Sequence, residues 1–249
     1  MRKLVACLAC RNEGTRLYGK PLQNLDVKKK ITIIKYIIDS LKKIKTIDEI
    51  VLAISKNKSD IIYKQIAKNN KIKYVIGDEE NVLKRLILSC KLVKGTDIFR
   101  VTTESPFMIF EEVKKAWKIH VQDNNDLTAI DNVPDGAGFE IIKLSAYEKS
   151  EKLGKKRHKS ELCSLFIREN KSKFKLNKLD VRSEYLRPDI RLTADYPEDL
   201  VLLRKIYNKF KSYYPRIPMR KIIKYINKNP TIIKDVNKYV EQGLKTMYI

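Results

Sequence analysis

Residues 3–22 read KLVACLACRNEGTRLYGKPL. An apolar run ends in a loop that holds Arg11, Arg16 and Lys20 together with Gly14 and Gly19. The apolar run has the length and content of a buried strand. Glycines let a backbone approach an anion closely. Arginines offer forked donors to phosphate oxygens, and a lysine offers a mobile point charge. The spacing Gly14-x4-Gly19-Lys20 nearly matches a Walker A loop, but Pro21 stands where that loop needs a Ser or Thr hydroxyl. A true P-loop is therefore not expected, and no G-x-G-x-x-G fingerprint is present. Composition alone does not separate a triphosphate cradle from an exposed basic loop.

Working outward, strand and helix signals alternate. ITIIKYIIDSLKKI (31–44), SDIIYKQIAKNN (59–70) and ENVLKRLILSCKLV (80–93) have helical periodicity. Gly95 sits where a helix C-cap belongs. EIVLAIS (49–55), KYVIGD (73–78) and DIFRVTTESPF (97–107) read as strands, the last running into a loop. This order implies a parallel sheet covered by helices, with ligands at the carboxyl ends of the strands. Beyond it, DLTAIDN, GFEIIKL and KFKLNKLD predict short strands, and SAYEKSEKL and KSELCSLFIREN predict helices. IRLTAD (190–195) predicts a strand, and PEDLVLLRKIYNKF (197–210) a helix. The remainder is helix and turn, punctuated by Pro215, Pro218 and Pro230.

At 249 residues with 43% apolar content, the chain can bury a substantial core. No apolar run reaches the length of a membrane span. The N-terminal apolar run is too short for a signal peptide, and Arg11 follows it without a cleavage site, so a cytoplasmic protein is expected. Cys7 and Cys10 form C-x-x-C, but residues three apart in a strand face opposite ways, so they read as core residues. The net charge of +23 is scattered along the chain. It reads mostly as solvated helix faces, with part available to a polyanionic small molecule. Nucleic acid is not expected as the primary partner.

Two carboxylates end predicted strands: Glu104 and Asp195. Together they suit a magnesium ion on a triphosphate. Separately they suit a turn and a helix cap.

These stretches, in this order, resemble the cytidylyltransferase family that contains CMP-sugar-acid synthetases, and within it the spore coat polysaccharide biosynthesis protein F branch. The loop from Arg11 to Lys20 is similar to A-R-x-x-S-T-R-L-P-G-K, and GDEENVLKR to G-x-x-x-D-V-L-x-R. FRVTTESPFM is similar to R-I-T-G-D-C-P-L, with Glu104 at the aspartate position. VPDGAGFEII and RPDIRLTADYPEDL match Y-P-D-G-x-x-x-E-V and R-P-D-x-R-x-T-V-D-x-P-E-D-L. The family's R-E-H-V-T appears as Ser160–Ser164, without its Arg and His.

The resemblance implies an α/β fold. It is a three-layer, Rossmann-like, mostly parallel sheet of the nucleotide-diphospho-sugar transferase type, with a small irregular β-rich insertion and a helical C-terminal tail. Residues 1–214 would form the nucleotidyltransferase domain, with 127–180 serving acceptor and dimer contacts, and 215–249 the extension. CTP would lie over the strand ends, with Arg11, Arg16 and Lys20 as catalytic cations. Ala9, Gly14, Thr15, Arg85 and Thr102 would also bind the nucleotide. Glu104 and Asp195 would hold Mg²⁺ and, lacking it, repel each other so that one titrates high. Asp135 and Glu140 would face an anionic acceptor: a sugar acid, sugar phosphate or phosphonate. A homodimer is expected by the same analogy. A nucleotide-sugar-dependent glycosyltransferase and a basic RNA-binding module are the competing classes.

Overall fold

The computed structural model describes residues 2–14 and 16–241. The first half runs β1 (Leu4–Cys10), β2 (Asn24–Asp26), β3 (Ile31–Thr32), α1 (Ile33–Leu41), β4 (Glu49–Ser55), α2 (Ile62–Asn70), β5 (Lys73–Gly77), α3 (Val82–Leu92) and β6 (Asp97–Thr102). The second half runs α4 (Val113–Gln122), β7 (Leu127–Ala129), β8 (Glu140–Lys143), α5 (Leu144–Leu153), α6 (Leu165–Glu169), β9 (Leu176–Lys178), α7 (Pro197–Phe210), α8 (Met219–Lys228) and α9 (Lys234–Asn237).

The main sheet has the order β5-β4-β1-β6-β8-β7-β9. The strands β5, β4, β1 and β6 are parallel, and β8 runs antiparallel to both β6 and β7. Apolar side chains cover both faces of β1, as a central parallel strand requires. Leu4, Ala6, Leu8 and Cys10 face a core built with α1, α2, α4, α7 and α8. Val5 and Cys7 face a second core built with α3, α5 and α6. The C-x-x-C thiols thus enter opposite cores, and both are free. The helix-covered parallel sheet expected from the alternation is present, as is the three-layer α/β architecture that the resemblance implies, and the residues after 126 add the mixed edge.

The chain builds β4 and β5 on one side of β1 and then returns to place β6 on the other. Such a reversal opens a crevice at the carboxyl ends of the strands. The loops after β1 and β6 meet there.

Four local expectations change. Residues 190–195 form no strand of the sheet. Only Asp135 and Arg191 make an isolated bridge, and Ala194 N–H donates to Glu104 O at 3.0 Å. The segment is extended but pairs with loops. Of the helix expected over 159–170, only Leu165–Glu169 is α-helical. Residues 31–32 pair with β2 before the helix starts, and Thr32 Oγ1 accepts from Lys35 N at 3.2 Å. After α3 the left-handed residue is Lys94 (φ 54°), while Gly95 serves close packing.

Candidate active site

The loop after β1 is pinned at both ends. Gly19, left-handed at φ 58°, donates its N–H to Asn12 O at 2.8 Å. Asn12 is buried, with its N–H on Asp60 Oδ1 at 2.7 Å and its Oδ1 accepting from Tyr63 Oη at 2.7 Å. A Cβ on Gly14 would lie 2.8 Å from Leu17 O and 3.3 Å from Lys20 Cε, so the glycine makes room for the Lys20 stem. Pro21 lies within the short 3-10 turn Lys20–Leu22, where a missing N–H costs nothing. Thr15 lies outside the described residues.

Arg16 and Lys20 converge on Asp195. Lys20 Nζ is 2.5 Å and Arg16 Nη2 3.3 Å from Asp195 Oδ1. The other oxygen, Oδ2, accepts from Arg191 Nη2 at 2.7 Å. Arg191, 3% exposed, forks further to Asp135 Oδ2 at 2.5 Å and Asp199 Oδ1 at 2.9 Å. Asp199 Oδ2 accepts from the backbone N–H of Asp195 and of Tyr196, each at 2.9 Å. Asp199 therefore caps the start of α7, and the Asp195 side chain faces the cations. Glu104 comes to the same edge through its carbonyl bond from Ala194.

Burial alone would raise the Asp195 carboxyl, but Lys20, Arg191 and Arg16 together hold it below the ordinary aspartate range. Burial pushes Asp135 up to about 6 despite Arg191, helped by Asp195, Asp199 and Glu104. The raised titration expected from repulsion between Glu104 and Asp195 is not found at Asp195, where the cations outweigh it; the raised carboxyl is Asp135, and burial is its chief cause.

A second cluster holds the other predicted residues. Arg11 pairs with Glu161 rather than with Asp195. Arg100 lies in register with Glu140 across β6 and β8, with Nη1 3.3 Å from Glu140 Oε2. Its Nη2 donates to Glu161 O at 2.7 Å. Glu140 Oε1 accepts from Ser164 Oγ at 2.6 Å and from Arg168 Nη2 at 2.5 Å. Despite burial, these partners hold Glu140 below the ordinary glutamate range. Both its oxygens are engaged inside the protein, so it organises the 161–168 segment rather than meeting solvent. Arg85 is 1% exposed, and its Nε and Nη1 have no hydrogen-bond partner. Burial lowers its pKa. Ala9 and Thr102 are register partners across β1 and β6, and Ala9 O accepts from Thr103 Oγ1 at 2.8 Å.

The structure therefore gathers Arg16, Lys20, Asp195 and Asp135, with Glu104 beside them. Arg11 and Glu140 belong to the neighbouring network. Sequence reading gave no role to Arg191, Asp199, Arg100 or Arg168. The first three stand at matched positions of the quoted motifs, which was the available signal. Arg168 lies outside those motifs and gave none. Cations above a carboxylate at a crevice mouth can bind a polyanion and stabilise charge that develops on it.

The cytidylyltransferase family profile matches residues 5–240. The spore coat polysaccharide biosynthesis protein SpsF of Bacillus subtilis is 25% identical over 232 residues, covering 92% of this chain and 96% of that protein. The structure of a cytidylyltransferase from Leptospira borgpetersenii serovar Hardjo-bovis is similar at TM-score 0.84 and 22% identity, covering 94% of this chain and 97% of that one. The structure of CMP:2-keto-3-deoxy-manno-octonic acid synthetase complexed with CTP is similar at TM-score 0.66 and 12% identity, covering 83% of this chain and 99% of that one.

Proposed function

Since the chain belongs to the cytidylyltransferase family, we propose that it transfers CMP from CTP to an anionic sugar or sugar-acid acceptor, releasing pyrophosphate, in the synthesis of surface polysaccharide or glycoconjugate precursors. The observation that carries this reading is the convergence of Lys20 and Arg16 on Asp195 at the reversal point of the sheet. The relative named for spore coat polysaccharide supports the choice of product class.

In this reading Lys20 and Arg16 exchange Asp195 for the phosphates of CTP. Arg191 keeps Asp195 and Asp135 oriented throughout. The unpartnered donors of Arg85 suit acceptor atoms on the nucleotide. The acceptor oxygen attacks the α-phosphorus in line, and the bond to the departing pyrophosphate breaks. Positioning and charge stabilisation supply most of the rate.

Glu104 and Asp195 offer only oxygen donors on adjoining segments, which fits Mg²⁺. Among the described residues no cluster of three His, Cys, Asp or Glu is arranged to hold a metal alone. Nucleotide phosphates would complete the site. When bound, the ion would draw negative charge from the phosphate oxygens. In the same reading Asp135 contacts the acceptor, and the working form is a homodimer with 127–180 facing the partner.

Incubation with CTP, Mg²⁺ and a panel of sugar acids, sugar phosphates and phosphonates tests the reading. Acceptor-dependent pyrophosphate release is expected. Cleavage of nucleotide sugars with no pyrophosphate release from CTP would replace it with the glycosyltransferase reading. Light scattering that finds an active monomer would remove the dimer.

A further inference from the structure

The last described residues lie against the phosphate-side cluster. Tyr239 stacks on Tyr196 with ring centroids 3.7 Å apart and planes 3° apart. Tyr196 follows Asp195 directly in sequence. The Arg16 guanidinium carbon is 5.0 Å from the Tyr196 ring centroid, and its side chain is hydrogen-bonded to that of Tyr196. A continuous chain of contacts therefore runs from Tyr239 through Tyr196 to Arg16.

Tyr239 is itself held. Its hydroxyl donates to Glu198 Oε1 at 3.0 Å, and Lys238 Nζ donates to the same oxygen at 3.2 Å. The Lys238 ammonium lies 4.9 Å from the Tyr239 ring centroid. Ile233 and Val236 anchor the segment in the main core. Both tyrosines are half-buried and stand outside that core.

Arg16 is a long side chain, 40% exposed, on a loop. Such a side chain loses rotamer freedom when it engages a ligand. Holding it beforehand lowers that cost. We propose that Tyr239 is a positioning residue for the nucleotide: by stacking on Tyr196 it fixes the Arg16 guanidinium at the mouth of the phosphate loop. This rests on the reading of Arg16 as a phosphate contact. The segment that carries Tyr239 is thereby part of the site.

The test is steady-state kinetics with CTP as the varied substrate. Tyr239→Ala should raise the KM for CTP about three- to tenfold, the range for losing an aromatic pair, with kcat little changed. Tyr239→Phe keeps the ring and should restore the KM. Tyr239→Leu keeps apolar bulk without a ring and should behave like Tyr239→Ala, which separates stacking from filling space. In an Arg16→Ala background, Tyr239→Ala should add nothing, because the two act as one unit. Full additivity, or a normal KM in a folded Tyr239→Leu, overturns the proposal. If Arg16→Ala alone leaves the KM for CTP unchanged, the failure lies in the reading of Arg16. If Arg16→Ala raises it and Tyr239→Leu does not, the failure lies in the proposal.

Discussion

Both oxygens of Asp195 are engaged, one by Lys20 and Arg16 and the other by Arg191. If Asp195 is a metal ligand, as proposed, a divalent ion arriving alone would compete with the Lys20 ammonium 2.5 Å away. A triphosphate arriving with the ion would remove that competition by engaging Lys20 and Arg16 itself. Metal and nucleotide should therefore bind with strong mutual reinforcement. With Mn²⁺ as the probe, calorimetry should show binding at least about tenfold tighter in the presence of a non-hydrolysable CTP analogue, an order typical of coupled sites. Lys20→Met should strengthen Mn²⁺ binding in the absence of nucleotide; weaker binding would mean that Lys20 does not compete. Asp135 gives a pH test. Its carboxyl titrates near 6 in the fold against 3.8 ordinarily. The unfolded chain thus gives up this proton first as pH rises. Stability from Asp135 is full below about pH 4 and is lost as pH climbs through 6, by up to about 3 kcal/mol. Asp135→Asn keeps an acceptor for Arg191 and removes the titration. Urea denaturation should show the variant gaining on the parent between pH 4.5 and 7.5; a constant difference would refute the raised titration.

At the scale of elements, the turn after α3 separates two jobs that a glycine can do. A Cβ on Gly95 would lie 2.3 Å from Val5 Cγ2 and 2.6 Å from Cys90 Sγ. Gly95→Ala should cost about 1–3 kcal/mol by overpacking β1 against α3. Lys94 carries the left-handed φ of 54°, so Lys94→Gly should be neutral or stabilise by up to about 1 kcal/mol. Matched denaturation curves check both; the reverse order would return the conformational role to Gly95. The same turn shows what a sequence can reveal. A glycine near a helix end was legible, but its packing partner on β1, 90 residues earlier, was not. Likewise EIVLAIS reads as a strand to the residue, since apolar β-branched content decides it locally. IRLTAD has similar content, yet its partners are Asp135 and Glu104, loop positions that periodicity cannot foresee. In the site, Lys20, Arg16 and Asp195 were legible because they fall in ordered motifs. Arg191 and Asp199 stand in the same motif as Asp195, but their role does not show there, because the buried fork of Arg191 is completed by Asp135, 56 residues away. The diversion of Arg11 to Glu161 and of Glu140 to Arg168 depends in the same way on tertiary pairing.

Over the whole molecule, Pro215 and Pro218 punctuate the sequence as though an appendage follows them. Yet Met219, Ile222, Ile223 and Ile226 of α8 are buried in the core that contains β1 and α1. The joint is hydrogen-bonded as well. Tyr36 Oη accepts from Ile217 N at 2.8 Å, and Glu111 Oε1 from Met219 N at 3.0 Å. Burying those four side chains contributes about 6–12 kcal/mol at the usual value per large aliphatic residue. Compactness of the unfolded chain lowers that figure. It still rivals the whole stability of a typical domain, about 5–15 kcal/mol. A chain ending at residue 214 should therefore fail to fold, losing cooperative melting and near-ultraviolet dichroism. A graded version guards against an all-or-none result: Ile222→Ala in the intact chain should cost about 2–5 kcal/mol, as a large-to-small change in a packed core does. If the 1–214 chain melts cooperatively and Ile222→Ala costs less than about 1 kcal/mol, α8 is an accessory after all. The consequence for function is direct. Because α8 is integral to the main core, the segment that follows it is delivered to one fixed place, and Tyr239 meets Tyr196 there.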